Sequence, residues 1–275
     1  MLLFFLSFIT WNPSREAFTV PFFDIAIYWY SLFFALGCLG AYLFVLHTLG
    51  STYDKKRALA FTDTLLAYTF VGMLLGARLG HVFFYDWQYF KDHLTEIIMI
   101  RQGGLASHGG AVGILVGFIL FWKYHAKDLP GMSWRRLLDY ITTATCFTAG
   151  CIRIGNFFNQ EIIGTPSNAP WAVLFGHPTE AGVAGPRHPV QLYEAIFYFG
   201  MFGILWYLSH RQKYKAGLIS GIFFLAIFLF RFFIEWIKIP QESIPLEPLT
   251  MGQLLSIPFI LLSLYFFISK EKKIV

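Results

Sequence analysis

Residues 141–161 read ITTATCFTAGCIRIGNFFNQE, an apolar run that ends in a cluster of polar side chains. If the run is a helix that continues past residue 152, Arg153, Asn156 and Gln160 follow the i, i+3, i+7 spacing of one helix face. A cation beside amide groups at the end of an apolar run is suited to an anionic lipid head group. A polar helix end that reaches into the membrane interface would show the same pattern, so this stretch alone leaves both interpretations open.

The composition of the whole chain is that of a membrane protein. Hydrophobic residues make up 56% of the 275 residues, charged residues only 13%, and the mean hydropathy is +0.57. The net charge of +5 is spread over short connecting segments, which indicates membrane topology rather than nucleic-acid binding. The three cysteines lie in apolar runs without a CxxC pair or a Cys/His metal spacing, so we predict no disulfide and no metal site.

Seven apolar runs are long enough to cross a bilayer, which predicts an all-α polytopic membrane protein with one integral membrane domain over residues 1–275. The longest connection, residues 153–189, is rich in Pro, Gly and Asn and predicts a small extracytoplasmic cap between spans four and five. Met1–Pro13 lacks the basic segment and cleavage motif of a signal peptide, so we expect it to stay on the protein as an interfacial anchor. The predicted spans are Ile25–Leu49, Ala58–Tyr85, Leu105–Tyr124, Leu137–Ile152, Val190–Ser209, Leu218–Ile237 and Met251–Ser269.

The distribution of Lys and Arg orients this bundle, because positive residues are enriched in cytoplasmic segments. With the N-terminus outside, thirteen Lys and Arg residues lie in the inner segments and six in the outer ones. We therefore expect an outer N-terminus and an inner C-terminus. This orientation places five polar residues from different spans in one outer layer, namely Tyr30, Arg78, His108, Arg153 and Arg231.

Two of these residues, Arg78 and Arg231, lie within apolar runs. A lone charge there costs about 2.5–3.5 kcal/mol on insertion scales, so we expect each arginine to face a cavity or a partner. Glu235 follows Arg231 by one helical turn and is a candidate ion-pair partner. On spacing alone, Tyr30 fits an aromatic residue of the membrane interface.

Glycines recur every four residues in two predicted spans, which is the small-xxx-small pattern of closely packed membrane helices. We interpret these stripes as helix packing. His108 has glycines on both sides, and these permit close approach of a backbone or a ligand. It is interpreted either as a structural histidine or as a proton acceptor. The glycine stripes are Gly72, Gly76 and Gly80 in the second span and Gly109, Gly113 and Gly117 in the third.

Five motifs stand in order along the chain. They are GGLASHGG at Gly103–Gly110, RIGNF at Arg153–Phe157 with Glu161 following, RHPVQLYE at Arg187–Glu194, FRFFIE at Phe230–Glu235 and MGQLLS at Met251–Ser256. Together they closely resemble the motifs of the bacterial prolipoprotein diacylglyceryl transferase family. The resemblance runs from Tyr28 to the last span and so covers nearly the whole chain.

The resemblance implies a seven-helix enzyme of the bacterial inner membrane with a periplasmic cap. It would transfer the diacylglyceryl group of phosphatidylglycerol to the thiol of the lipobox cysteine in a preprolipoprotein, forming a thioether and releasing glycerol 1-phosphate. Its partners would be phosphatidylglycerol, the lipobox signal peptide and membrane lipids, without nucleic acid. We expect catalytic roles for His108, Arg231, Glu161 and Tyr30, and substrate binding by Arg153, Asn156, Gly109, Gly110 and Arg78.

The chemistry of such a transfer requires a cysteine thiolate and stabilisation of a departing phosphate, and we expect it to need no metal and no organic cofactor. His108 could accept the thiol proton, or it could orient the lipid head group. Arg153 and Arg231 could hold the phosphate through charge-assisted hydrogen bonds.

The chain departs from residues common in the family at Ile152, Gln160, Ile227 and Lys238. Ile227 stands where related enzymes have a tyrosine, which puts a hydroxyl near Arg231 in doubt. A lipid transporter or scramblase would need the arginines but no base, and it would show a polar path toward the inner leaflet. A purely structural membrane subunit would leave Arg78 and Arg231 unexplained.

Overall fold

The computed structural model describes residues 8–99, 104–211, 213–239 and 249–269. Contacts divide the chain into two compact units. The first unit consists of Met1–Phe44 with Arg135–Val275, and the second of Val45–Trp134. In the described part of the chain, the helices are α1 (Trp29–Gly50), α2 (Lys55–Phe84), α3 (Trp87–Phe90), α4 (Ser107–His125), α5 (Trp134–Asn159), α6 (Val190–Arg211), α7 (Leu218–Ile234) and α8 (Met251–Ile268).

Six helices of the described residues are long and apolar enough to cross a membrane: α1, α2, α4, α6, α7 and α8. The chain is therefore an α-helical, multi-pass membrane protein. The predicted span Leu137–Ile152 lies within α5, which is long enough to cross but carries more polar residues than the other six. The seven-span count stays a prediction.

Among the described residues, four short strands show that the chain is not the purely α-helical protein that the sequence predicts. They form two separate two-stranded sheets. One sheet is parallel and the other is an antiparallel hairpin that runs directly into α1, so the first helix begins at Trp29 instead of Ile25. The strands are β1 (Ile9–Trp11), β2 (Glu16–Val20), β3 (Ile25–Tyr28) and β4 (Val173–Phe175), with β1 paired to β4 and β2 to β3.

The N-terminal segment was predicted to be an interfacial anchor, and its residues 1–7 lie outside the described part of the chain. Its described part instead pairs with the connection between α5 and α6, since Ile9 stands opposite Val173. Trp11 stacks on Phe157 with ring centroids 4.5 Å apart and donates its indole N–H to the Phe157 carbonyl at 3.0 Å. The predicted cap also begins later than expected, because residues 153–159 still belong to α5.

The first unit is held together by apolar residues at the contacts of α5, α6 and α7. Hydrogen bonds also link the start of α7 to α5. Asp139 of α5 is fully buried and accepts hydrogen bonds from the backbone N–H groups of Gly217 and Ser220, both at 2.8 Å, and from the Ser220 hydroxyl at 2.7 Å. These N–H groups open α7 and have no partner within the helix, so Asp139 caps α7 from a neighbouring helix. The apolar cluster contains Cys146, Tyr198, Met201, Leu205, Ile219, Phe223 and Ile227.

The second unit confirms the interpretation of the glycine stripes. A Cβ atom added to Gly72 would overlap the carbonyl oxygen of Gly113, and one added to Gly76 would overlap that of Gly109. The backbones of α2 and α4 therefore touch along the stripe, which only glycine permits.

Candidate active site

The site in the first unit is built on the C-terminal end of α5. Gln160 follows the last helical residue with φ at +54°, so the chain turns out of the helix there. The N–H of Glu161 bonds the Asn156 carbonyl at 3.1 Å and the N–H of Gln160 bonds the Phe157 carbonyl at 3.2 Å, which is the Schellman pattern. Arg153 and Asn156 thus share a helical face, as predicted, but Gln160 does not continue it. Gln160 is buried and its Oε1 accepts the backbone N–H of His177 at 2.7 Å.

A chain of polar contacts runs from Arg153 to Glu161. Nη1 of Arg153 donates to Oδ1 of Asn156 at 3.2 Å, and Nδ2 of Asn156 donates to Oε1 of Glu161 at 2.7 Å. Nδ2 of Asn159 also donates to that carboxylate oxygen, at 3.3 Å. Gln191 of α6 donates to the backbone carbonyl of Glu161 at 2.8 Å and so ties the turn to the next helix. The structure brings these three candidates, Arg153, Asn156 and Glu161, into one network.

Glu194 of α6 stands at the centre of a second set of contacts. Its side chain is fully buried, and Nε of Arg153 lies 3.0 Å from its Oε2. Nζ of Lys238 donates to Oε1 at 2.8 Å. One buried carboxylate therefore holds two cations, which leaves one net positive charge on the group of Arg153, Lys238 and Glu194.

Lys238 reaches this position because the segment after α7 pairs with the connection between α5 and α6. Ile239 donates its backbone N–H to the Ile163 carbonyl at 3.0 Å, and Lys238 forms a β-bridge with Gly164. Burial lowers the pKa of the Lys238 ammonium, and the Glu194 carboxylate opposes that shift. A second carboxylate, that of Glu235, lies 3.9 Å from Nζ.

Arg231 of α7 is linked to this group through Tyr198. The Tyr198 side chain is buried, its hydroxyl donates to Oε1 of Glu194 at 3.4 Å, and it interacts electrostatically with both Arg153 and Arg231. A buried hydroxyl from α6 thus interacts with Arg231, although Ile227 stands where related enzymes have a tyrosine. Glu235 forms its ion pair with Lys238 rather than with Arg231 in the described part of the chain.

Tyr30 lies in the first turn of α1 and packs on α5. A Cβ atom at Gly155 would lie 3.0 Å from Cδ2 of Tyr30 and 3.1 Å from its Cα, so glycine is what lets the two helices approach here. Tyr30 interacts electrostatically with Glu161 and Arg153. Five of the nine candidate residues therefore belong to the first unit, namely Tyr30, Arg153, Asn156, Glu161 and Arg231.

The other four candidates, His108, Gly109, Gly110 and Arg78, belong to the second unit. His108 lies in the first turn of α4 with an exposed side chain. Gly109 packs against the α2 backbone, while a Cβ at Gly110 would make only ordinary contact with Ala77, at 3.5 Å. The substrate-binding assignments of both glycines stay predictions.

Arg78 of α2 is 4% exposed, and its guanidinium donates to backbone carbonyls of the described residues Glu96, Ile97 and Gly104. The distances are 2.6 Å to Glu96, 2.8 Å to Ile97 and 3.2 Å to Gly104. Its guanidinium carbon also lies 4.9 Å from the centre of the Phe90 ring. The arginine therefore holds the 3-10 turn Leu94–Ile98 to the segment that opens α4, and its assignment to substrate binding stays a prediction.

In the first unit, this arrangement is suited to an anion at the end of an apolar helix. The Arg153 guanidinium, which has five N–H donors, contacts Glu194, Asn156 and Tyr198, and a guanidinium held in this way can form charge-assisted bonds with a phosphate oxygen. No group of three or more His, Cys, Asp or Glu residues with metal-binding geometry occurs among the described residues.

Comparison with known families agrees with this chemistry. The family model "Prolipoprotein diacylglyceryl transferase" matches residues 16–269. The chain belongs to the prolipoprotein diacylglyceryl transferase family. It is similar to proteins named phosphatidylglycerol–prolipoprotein diacylglyceryl transferase from several bacteria.

Three such transferases illustrate the similarity. The one from Protochlamydia amoebophila is 37% identical, over 93% of this chain and 93% of the relative. The one from Bacteroides fragilis is 38% identical, over 97% of both chains. The one from Porphyromonas gingivalis is 38% identical, over 97% of this chain and 96% of the relative.

The site of this transferase also contains residues that sequence reasoning missed. Glu194, Tyr198 and Lys238 were not among the candidates, although Glu194 and Lys238 lie in segments already singled out. The signal for Glu194 was present in the sequence. It is a lone carboxylate in the apolar run Val190–Ser209, the same feature that marked Arg78 and Arg231.

Proposed function

We propose that this protein transfers the diacylglyceryl group of phosphatidylglycerol to the thiol of the lipobox cysteine of preprolipoproteins. The observation that carries the proposal is the placement of Arg153, which a fully buried Glu194 and Asn156 hold at the end of α5. Membership of the transferase family and the printed names of its relatives support the same reaction.

In this reaction the cysteine thiolate attacks the glyceryl carbon that bears the phosphate ester. A C–S bond forms, the C–O bond breaks, and the phosphate oxygen keeps the electron pair as glycerol 1-phosphate leaves. The thiol proton passes to a base. The products are the thioether-linked lipid on the preprolipoprotein and glycerol 1-phosphate.

Each residue of the site has a proposed role that follows from its side-chain chemistry. Arg153 binds the phosphate and, with Arg231, stabilises the charge that develops on it, since guanidinium groups form bidentate, charge-assisted bonds with phosphate oxygens. Asn156 and Glu161 orient Arg153 through the hydrogen-bond chain described above. Tyr30 faces the same network from α1.

His108 is the proposed base for the thiol proton. Its exposed position in the first turn of α4 makes it accessible to a substrate. Gly109 and Gly110 beside it allow close approach of the peptide or the lipid, and Arg78 completes the proposed substrate-binding set.

For the topology we propose seven spans, with α5 as the fourth. Its 26 residues extend about 39 Å at 1.5 Å per residue, which exceeds a hydrocarbon core of about 30 Å. Its polar residues Asp139, Thr142, Thr143 and Asn156 are buried against protein, so its lipid-facing surface is less polar than its sequence. The protein would lie in the bacterial inner membrane with a periplasmic N-terminus, a periplasmic cap after α5 and a cytoplasmic C-terminus.

The deciding experiment combines purified protein in phosphatidylglycerol nanodiscs with a synthetic lipobox peptide. We expect the peptide mass to increase by one diacylglyceryl group. A peptide with serine in place of cysteine, and nanodiscs of phosphatidylethanolamine alone, should show no such increase. Absence of the adduct with the cysteine peptide, in protein that remains folded, would refute the proposed reaction.

A further inference from the structure

The β2–β3 hairpin has one entirely apolar face. In an antiparallel pair, residues directly opposite each other share a face, and alternate residues along a strand do so too. Phe18 stands opposite Ile27 and Val20 opposite Ile25, which puts these four side chains on one side of the hairpin. Phe18 and Ile25 are 52% and 54% exposed, so the first unit leaves much of this face uncovered.

The turn of the hairpin is also apolar and even more exposed. Phe22 is 88% exposed and Phe23 is 66% exposed, and Phe22 has the greatest exposure of the large apolar side chains in the described residues. The two rings contact each other edge to face, with centroids 5.0 Å apart. An exposed pair of phenylalanines at a turn indicates a binding surface rather than a water-facing loop.

Polar contacts are confined to the opposite face and to the base of the hairpin. Thr19 lies on the opposite face and its hydroxyl bonds the Glu16 carboxylate. At the base, Arg15 donates to the His177 carbonyl at 3.0 Å and to the Thr179 hydroxyl at 3.1 Å, which fixes the hairpin to the connection between α5 and α6. The hairpin therefore has a secured base and an uncovered apolar end.

The hairpin leads directly into α1, whose surface also carries exposed apolar side chains. β3 ends at Tyr28 and α1 begins at Trp29, with no intervening residue. Along α1, Leu36, Leu39 and Leu43 are 48%, 53% and 52% exposed at i, i+3 and i+7 spacing, which is the lipid-facing stripe of a spanning helix. Tyr28 and Trp29 stand at the junction, where aromatic residues favour the membrane interface.

We propose that the β2–β3 hairpin inserts its apolar face and its Phe22–Phe23 turn into the leaflet that adjoins the N-terminal end of α1. A two-stranded hairpin is marginal in water without a hydrophobic surface to pack on, and the lipid next to α1 provides that surface. The face consists of aliphatic and aromatic side chains that would give a protein partner little hydrogen-bonding specificity. Asp24 at the turn keeps its charge at the head groups, so the hairpin lies at the interface and not in the centre of the bilayer.

The test replaces single residues of the full chain with a benzophenone amino acid and irradiates the protein in nanodiscs of deuterated phosphatidylcholine. Intact-mass spectrometry then measures the fraction of protein that carries one lipid. This lipid is not the proposed substrate, so the result does not depend on transferase activity. Leu39 on α1 is the lipid-facing control and Asn168, which is exposed in the connection after α5, is the water-facing control.

We expect Phe22 and Ile25 to give lipid adducts in a yield close to that of Leu39, and Thr19 to give a yield close to that of Asn168. Thr19 and Ile25 are both exposed but lie on opposite faces, so they form a matched pair within the hairpin. Phe23 repeats the measurement if the Phe22 variant elutes as misfolded protein. A yield at Phe22 and Phe23 no greater than at Asn168, or a cross-link to a second copy of the chain in place of lipid, would overturn the proposal.

Discussion

The Glu194 carboxylate forms ion pairs with two cations, Arg153 and Lys238. Replacing Glu194 with glutamine removes the negative charge and keeps the shape of the side chain. Glu194 lies 3.0 Å from Nε of Arg153 and 2.8 Å from Nζ of Lys238, and it is fully buried. Removing one partner of a buried ion pair costs about 3–5 kcal/mol, because the remaining charge stays buried without compensation. Here two cations would be left facing each other, so we expect Arg153 to leave the position in which it meets the phosphate.

The free energy lost with the ion pair gives an estimate of the loss in transfer rate. If the displaced Arg153 no longer stabilises the transition state, each 1.36 kcal/mol lowers the rate tenfold, and kcat/KM should fall by about two to four orders of magnitude. The assay is the initial rate of mass gain of the lipobox peptide in phosphatidylglycerol nanodiscs. Adding Lys238→Met to Glu194→Gln should recover part of the loss, since it removes the cation that would repel Arg153 once the shared carboxylate is gone.

Asp139→Asn is the matched control, because Asp139 is also a fully buried carboxylate of the first unit. It lies fourteen residues before Arg153 on α5, about 21 Å along the helix axis, and it caps α7. Both variants should unfold at a lower temperature, but only Glu194→Gln should lose activity per folded molecule. A Glu194→Gln enzyme with wild-type kcat/KM, or an equal loss in Asp139→Asn, would refute the role of Glu194 in positioning Arg153.

Three further predictions concern the phosphate site, the base and the topology. Arg153→Ala should abolish transfer and weaken phosphatidylglycerol binding in a titration, and Arg153→Lys should restore little, because a planar fork becomes a point charge; full activity in Arg153→Lys would contradict a bidentate contact. His108→Gln should slow transfer without weakening lipid binding, and its rate should recover as the pH approaches about 8.5, where the thiol ionises without help; a flat pH–rate profile with weakened binding would instead assign His108 to the head group. A cysteine at Asn168 should react with a membrane-impermeant thiol reagent from outside, and one at Lys127 only after permeabilisation; the reverse labelling would invert the orientation.

Periodicity and hydropathy were enough to predict most of the helical framework. The apolar runs around α6, α7 and α8 were bounded within a few residues, and the four-residue glycine spacing predicted the contact between α2 and α4. The strands were missed because they are three to five residues long and two of them merge with apolar segments that look helical. Ile25–Tyr28 is apolar enough to extend a span, and only its pairing with β2 makes it a strand.

The residues of the candidate site that lie on one helix could be predicted from their spacing. The residues that reach the site through contacts between distant segments could not. Arg153 and Asn156 share a face of α5, so their spacing was informative. Gln160 was misplaced because its left-handed backbone conformation ends the helix, and a non-glycine residue gives little sign of that. Lys238 meets Glu194 only through the pairing of residues 238–239 with residues 163–164, a long-range contact that no local pattern encodes.

The glycine stripe between α2 and α4 has a mechanical consequence for His108. Because the backbones touch without intervening side chains, α4 cannot rotate about its axis against α2 without a steric clash. Sliding of α4 along α2 is restricted as well, because glycine faces glycine again only after a shift of four residues. Such a shift is about 6 Å and would leave one glycine at the end of the stripe without a facing glycine. His108 directly precedes Gly109 of this stripe, so the glycine contacts fix the position of its backbone along α2 and around the axis of α4.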